Sequence, residues 1–335
     1  EEVLPLLQYP DDTAGGLMTP AIVTLRRHWR AKEALQELRR VEPVTDSVYY
    51  LFVTDRQGIL QGVVGLRDLV VAPPETVVEA MMDPNVISVP VTADQEICAR
   101  TLSRYGFLAL PVVDEDGLLV GVITADDLIE VAEDEATEDM YRMVGISGEE
   151  QVLGPLRDSV LKRLPWLAIN MVTLFIAITV VDAFEPVIAS FVVLATFLPL
   201  VSGEGGNAGS QTTTVIVRGI ALGEIDERSG LRTLGKESVA ALINGTIVGL
   251  GTGLAIYLWK GQWLIGLAVF LAMILNFLMA ALAGVLVPLG LKVLKVDPAL
   301  ASAAFVTGIT DTMGFLFFLG IATMLMTISI SMAGG

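Results

Sequence analysis

Two patterns of apolar positions run along this chain, and they change over near residue 160. Before it, the apolar runs are short, rich in Val and Ile, and separated by Asp/Gly turns, the pattern of strands in a mixed α/β fold. Beyond it, apolar stretches of about twenty residues recur, long enough to cross a bilayer as helices. They cover 164–184, 186–219, 238–258, 263–289 and 299–326. The second is interrupted by Pro199-Leu-Val-Ser-Gly-Glu-Gly-Gly-Asn-Ala-Gly-Ser-Gln211. Backbone that leaves the helix at membrane depth must be satisfied inside protein or against a water-filled cavity. The expectation is therefore an all-α domain of five spans whose second is broken at these glycines, with Gly205, Gly206, Asn207 and Gln211 facing a pore and Glu204 beside them. Close helix packing through small residues is the alternative. A phosphate cradle is disfavoured, because the stretch lacks a Gly-Lys-Ser/Thr ending.

Within the first pattern a unit repeats. Asp55, Gly58, Gly62, Asp68 and Leu69 recur as Asp114, Gly117, Gly121, Asp127 and Leu128. Each unit reads strand, Asp-x-x-Gly turn, strand, helix. A Met-x-Pro precedes each, at Met18-Thr-Pro20 and Met82-Asp-Pro84, and a helical pattern follows at 31–40 and 94–105.

Charge separates the two halves further. The net charge is −17. Up to residue 160 there are 12 Lys and Arg against 29 Asp and Glu; after it the count is 9 against 9. The first half thus carries all the excess, which argues against nucleic acid or anionic lipid as its partner and suits cations. No Lys or Arg falls between Arg104 and Arg142, where Asp114, Glu115, Asp116, Asp126, Asp127, Glu130, Glu133, Asp134, Glu135, Glu138 and Asp139 occur. Asp127, Glu130, Asp134 and Glu138 recur at helical spacing on one face, where each like-charge pair costs about 0.2–0.5 kcal/mol. A bridging divalent cation reverses that cost, and carboxylates suit Mg²⁺ or Ca²⁺. A solvated acidic face is the plainer reading.

Asp311 is the one carboxylate within 303–325. An acid at mid-span costs about 2.5–3.5 kcal/mol on insertion scales and is normally functional. Thr307 and Thr310 accompany it, and Gly308 and Gly314 leave room for a neighbouring backbone. With no His or Cys nearby, every ligand on offer is oxygen, which fits a hard cation and not zinc. A single carboxylate suits hydrated Mg²⁺, which is held through its waters.

Cys98 is the only cysteine and His28 the only histidine, so neither an internal disulfide nor a thiolate metal cage is available. His28 reads as an ordinary exposed residue at a helix start. The sequence opens Glu1-Glu2 without Met or signal peptide, as a chain whose N-terminus lies upstream would. Lys162, Arg163, Arg218, Arg228, Arg232, Lys236, Lys292 and Lys295 fall on one side of the predicted spans, with Lys260 opposite. The basic side is cytoplasmic, which places the acidic half inside and the C-terminus outside a multi-pass cell (inner) membrane protein. Trp166, Trp259 and Trp263 lie near the predicted interfaces. No feature suggests covalent catalysis, so no enzyme is expected.

The repeat resembles a tandem pair of CBS domains (a Bateman module). That family often binds an adenine nucleotide such as ATP, through a Ser/Thr-x-x-Asp at a strand-to-helix step. Thr124-Ala-Asp-Asp127 matches; Gly65-Leu-Arg67-Asp68 lacks the hydroxyl. A structural helix cap explains Thr124 and Asp127 equally well. The whole chain resembles the MgtE family of magnesium channels, through Tyr9-Pro-x-Asp-Thr-Ala-Gly-Gly-Leu-Met-Thr-Pro20, the glycine-rich second span and Thr307-x-x-x-Asp311-x-x-Gly314. The resemblance implies a homodimer in the lipid bilayer that conducts Mg²⁺ inward, with Asp311 at the selectivity position and the Thr307 carbonyl and Asn207 near the path. It also implies regulatory Mg²⁺ on the acids of the CBS module, which closes the pore through a connecting, plug-like helix. The expected domains are a CBS module over 1–139 (repeats 16–75 and 80–139), a connecting helix over 140–163 and a pore domain over 164–335. The family's upstream acidic helical domain has no counterpart in this sequence, and Ala304 and Gly308 stand where it commonly has Pro and Thr. Two other functions compete: a non-conducting membrane sensor of nucleotide or cation, and a broader Co²⁺ or Mn²⁺ transporter. An anion channel is disfavoured by the carboxylate.

Overall fold

Each half of the repeat builds its own three-stranded sheet in the computed structural model, which describes residues 8–20, 22–41, 49–146, 150, 152–225 and 229–333. The chain divides into two units, Glu1–Ala136 and Thr137–Gly335. The first opens with α1 (Ala14–Leu17), β1 (Thr24–Arg26), α2 (Ala31–Val41), β2 (Tyr50–Thr54), β3 (Leu60–Gly65) and α3 (Leu66–Val71). The pattern then repeats as β4 (Val89–Pro90), α4 (Gln95–Tyr105), β5 (Ala109–Val113), β6 (Leu119–Thr124) and α5 (Ala125–Met143). In both sheets the first strand runs parallel to the second and the second antiparallel to the third, in the orders β1-β2-β3 and β4-β5-β6. Each sheet and its helices close on an apolar core: Leu25, Leu51, Val53 and Leu69 in one, Leu110, Val112, Ile123 and Leu128 in the other. Cys98 is buried in the second core, and burial pushes its thiol up to about 11, where it stays protonated.

The recurring residues have recurring work. Asp55 Oδ1 accepts the N–H groups of Gln57 and Ile59, both at 2.9 Å, and Asp114 Oδ1 accepts those of Asp116 at 3.0 Å and Leu118 at 2.8 Å. These Asx turns close at Gly58 (φ +91°) and Gly117 (φ +81°), where a side chain is strained. Each Met-x-Pro crosses to the other repeat. Thr19 exchanges backbone hydrogen bonds with Val122 (2.8 and 3.1 Å), and Asp83 does so with Val63 (2.9 and 3.0 Å). Gly62 and Gly121 are small for that reason: a β-carbon on Gly62 would sit 2.9 Å from Met82 Sδ, and one on Gly121 would collide with Met18. Gly121→Val should therefore destabilise the unit by about 1–3 kcal/mol. A lowered urea midpoint of a 1–136 fragment, partly restored by Met18→Ala, is the expected result.

The second unit is helical: α6 (Leu156–Ala183), α7 (Glu185–Ser190), a 3₁₀ segment (Val192–Phe197), α8 (Leu198–Ala221), α9 (Gly230–Lys260), α10 (Trp263–Val293) and α11 (Pro298–Ala333). Among the described residues four helices are long and apolar enough to cross a membrane: α6, α9, α10 and, over 304–332, α11. α10 packs on α9, α11 and α8, and α11 also packs on α8 and α6. The largest buried cluster joins Leu194, Phe197 and Val201 to Ala272, Met273, Phe318 and Ala322. Trp259 and Trp263 are exposed at the α9–α10 turn, where Lys260 Nζ sits 4.3 Å from the Trp259 ring centre, as suits an interfacial belt.

Two expectations are corrected here. The segment 186–219 is broken, but not at its glycines: residues 199–211 lie inside the continuous helix α8. The break falls earlier, at Phe191 (φ −134°, ψ 68°) and the 3₁₀ segment. Pro199 sits in the first turn of α8, where its missing N–H costs nothing. The single connecting helix expected over 140–163 is instead the end of α5, a turn at Gly145 (φ +79°), and the start of α6 at Leu156. Residues 147–149 and 151 of that span, like Arg228, lie outside the described residues.

Candidate functional site

Asp311 lies in the interior of α11 and is 6% exposed. Ser202, in the first two turns of α8, donates its hydroxyl to Asp311 Oδ1. The two helices are antiparallel along this seam, since Gly209, further along α8, faces Val306 and Thr310, earlier on α11. One turn beyond the Ser202–Asp311 pair, helical register brings Gly206 of α8 level with Thr307 of α11. Gly206 has nothing within 4 Å of where a β-carbon would stand, and Thr307 is half-buried. Its carbonyl accepts the Thr310 hydroxyl at 3.0 Å. The seam therefore offers a carboxylate, hydroxyls, a carbonyl and a bare glycine backbone. Every one is an oxygen donor or open space, a set suited to a hard cation.

The remaining α8 residues divide by face. Val201, Gly205, Gly209 and Thr213 are buried against the bundle, while Gly203, Asn207, Ser210 and Gln211 are exposed on the other side. Asn207 and Gln211 therefore do not converge with Asp311 within this chain. Gly205 is no break either; a β-carbon there would collide with Asn276. The room left by Gly308 and Gly314 is taken by side chains and not by backbone: Thr173 of α6 faces Gly308, and Asn276 of α10 faces Gly314.

Ser202 and Asn276 went unnoticed in the sequence. Asn276 is fully buried, and its Nδ2 donates to the Val201 carbonyl at 3.0 Å. Its Oδ1 and Thr213 Oγ1 are the buried side-chain atoms without a partner among the described residues. The available signal was one amide in the apolar run 263–289.

The acids of the first unit are arranged differently. Asp127, Glu130, Asp134 and Glu138 descend one flank of α5 over about 16 Å, at 1.5 Å per residue. Among the described residues no three acids are grouped to hold a metal ion. Glu135 accepts from Gln95 Nε2 at 2.6 Å, and Glu138 is paired with Arg142. Arg142 also reaches Asp297, whose Oδ1 caps the Ala299 N–H at 2.8 Å. Asp114 is engaged in its hairpin turn and Asp116 lends that turn its backbone N–H. Asp126 is exposed. Asp139 is half-buried.

At the nucleotide motif, the Thr124 N–H (3.2 Å) and hydroxyl both donate to Asp127 Oδ2, so the pair satisfies itself as a helix cap. In the first repeat Asp68 lies in the opening turn of α3 beside Gly65, which brings no side chain to the cap, and Arg67 is exposed.

Comparison with known proteins adds to this geometry. Residues 198–321 match the MgtE family model, described as a divalent cation transporter, and residues 14–75 and 78–134 match the CBS domain. A protein of Thermus thermophilus named magnesium transporter MgtE is 38% identical over 328 residues, covering 97% of this chain and 72% of that protein. One of the same name from Bacillus subtilis is 34% identical over 319 residues, covering 95% and 70%. A crystal structure of the cytosolic domain of the Mg²⁺ channel MgtE with ATP is 48% identical and covers 39% of this chain and 52% of that one, with a TM-score of 0.38.

Proposed function

Because the chain belongs to the MgtE family of divalent cation transporters, we propose that it conducts Mg²⁺ across the cell membrane along the α8–α11 seam, with Asp311 as the attracting charge. The observation that carries this reading is the buried Asp311 carboxylate in the interior of α11, held by the Ser202 hydroxyl of α8. Thr307 and Gly206 line the next turn. The exposed polar face of α8, with Asn207 and Gln211, is where a second copy would complete the path in a homodimer. The basic flanks at Arg218, Lys236 and Lys292 orient the tandem CBS module to the cytoplasm and the C-terminus outward.

Regulation is the second part of the proposal. Asp114, Asp116, Asp126, Asp127, Glu130, Asp134, Glu135, Glu138 and Asp139 supply the acidic field, and cytoplasmic Mg²⁺ acts on it by bridging carboxylates and relieving their repulsion. A state bridged by Mg²⁺ is favoured by its differential affinity. An adenine nucleotide at Thr124 and Asp127 is a further ligand of the module, and binding it requires the Thr124–Asp127 cap to open.

Uptake into proteoliposomes holding a Mg²⁺-sensitive dye tests the transport reading. Uptake above protein-free vesicles, reduced by Co²⁺ or Mn²⁺ competitors, is the expected result; uptake at the protein-free level would refute it. Protease protection of the CBS module across a Mg²⁺ titration tests the regulatory reading. The variant with Glu130, Asp134 and Glu138 all changed to Ala should lose the protection that wild type gains, and equal responses would leave a solvated acidic face.

A further inference from the structure

We propose that Asn276 is a positioning residue for conduction, holding α8 and α11 in the register that lets Ser202 reach Asp311. The inference rests on the reading of Asp311 as part of the Mg²⁺ path. Three helices have been shaped around this amide. Gly205 of α8 and Gly314 of α11 both lack a side chain where Asn276 of α10 enters; a β-carbon on Gly314 would stand 2.7 Å from Nδ2. An apolar side chain fills such a gap without burying polar atoms, as Met273, Phe277 and Ala280 of α10 do. Asn276 instead leaves Oδ1 buried without a partner among the described residues, and an unpaired buried acceptor is a cost.

What the amide obtains for that cost is the Val201 carbonyl, at 3.0 Å from Nδ2. That carbonyl lies in the first turn of α8, just past the 3₁₀ segment where the chain is broken. The start of a helix behind such a break has few constraints of its own, because its first N–H groups lack helical partners. Ser202 is the next residue, and it donates to Asp311. Asp311 lies three residues from Gly314, which faces Asn276 again. The contacts thus close a ring: Asn276, Val201, Ser202, Asp311, Gly314. Asn276 touches the ring on both sides without touching the proposed ion, so its effect on conduction passes through Ser202.

The full chain in proteoliposomes provides the test, read as Mg²⁺ uptake and as preference for Mg²⁺ over Ca²⁺. Asn276→Ala and Ser202→Ala should each lower uptake about tenfold and weaken the preference, the size expected for losing one hydrogen bond that fixes a charged group. Asn276→Ser leaves nearly the gap of Ala but keeps a donor, which reaches the Val201 carbonyl through one water in the vacated space, and should recover to within about threefold of wild type. The double variant Asn276→Ala with Ser202→Ala should fall no lower than the worse single variant by more than about twofold, since both act through one contact. Equal uptake by the Ala and Ser variants, or losses that multiply to about a hundredfold in the double variant, would overturn the proposal. Should the Ala variants fail to purify, Asn276→Val, which is closer to Asn in volume and brings no donor, is read against Asn276→Ser, and equal uptake again overturns it. Asp311→Asn separates the two levels. If it conducts normally, the Asp311 reading fails and this inference with it; if it is blocked while Asn276→Ala conducts as wild type, only this inference fails.

Discussion

Replacing Asp311 by Asn should lower Mg²⁺ uptake by reconstituted protein about a hundredfold while the fold survives. A carboxylate at mid-span costs about 2.5–3.5 kcal/mol on insertion scales. For that cost to be offset in function, its attraction for the ion must be of at least similar size, and every 1.4 kcal/mol is about tenfold. Asn preserves the shape and an acceptor oxygen for Ser202, so the α8–α11 contact keeps its geometry. Removing an unpaired buried charge does not by itself destabilise a protein. The expected outcome is therefore a variant that elutes from size exclusion like wild type and fails to load vesicles. Normal loading would take Asp311 out of the path.

The second large effect concerns assembly of the membrane unit. Gly253→Leu should prevent α9 from docking on α10. Gly245, Gly249 and Gly253 form one stripe of α9, spaced by four, and all are buried against α10. At Gly253 the approach is backbone to backbone: a β-carbon there would stand 2.6 Å from the Gly266 carbonyl oxygen, and one on Gly266 would stand 2.5 Å from that of Gly253. A side chain can yield to an intruding group by changing rotamer; a helix backbone cannot. Overpacking in cores costs about 1–3 kcal/mol even where side chains adjust, so a loss of roughly 3 kcal/mol or more is expected. The measurement is thermal stability of the detergent-purified chain, with Gly251→Leu as the control. Gly251 is exposed on the same helix with nothing within 4 Å, and its variant should match wild type. Equal melting of the two variants would show that the stripe is not a packing seam.

The residues differ in how much of this they disclosed beforehand. The repeat was visible because Asp55 and Asp114, and Gly58 and Gly117, meet a local demand of a tight turn, which any sequence must satisfy with few residue types. Long apolar runs marked α6, α9, α10 and α11 because lipid imposes a length. Asp311 stood out because it is the one charged residue in 303–325. The glycines of 203–209 misled, since the same small residues serve a break and a close helix contact, and only the partner helix decides between them. Asn276 and Ser202 acquire meaning only from Val201 and Asp311, which lie 75 and 109 residues away from them. The acids of α5 had a legible spacing, but helical spacing alone spreads carboxylates along a rod, and Arg142 takes up Glu138 from the same helix.

The central claim is that this chain passes Mg²⁺, and a reversal potential tests it most directly. With the purified protein in a planar bilayer and a tenfold MgCl₂ gradient as the only salt, a Mg²⁺-selective path should reverse close to 30 mV, the value for a two-charge ion, with the sign of a cation. A reversal near 59 mV of opposite sign would mark a chloride path, and the absence of any current above the bare bilayer would mark a sensor that does not conduct. Either of those results would contradict the account.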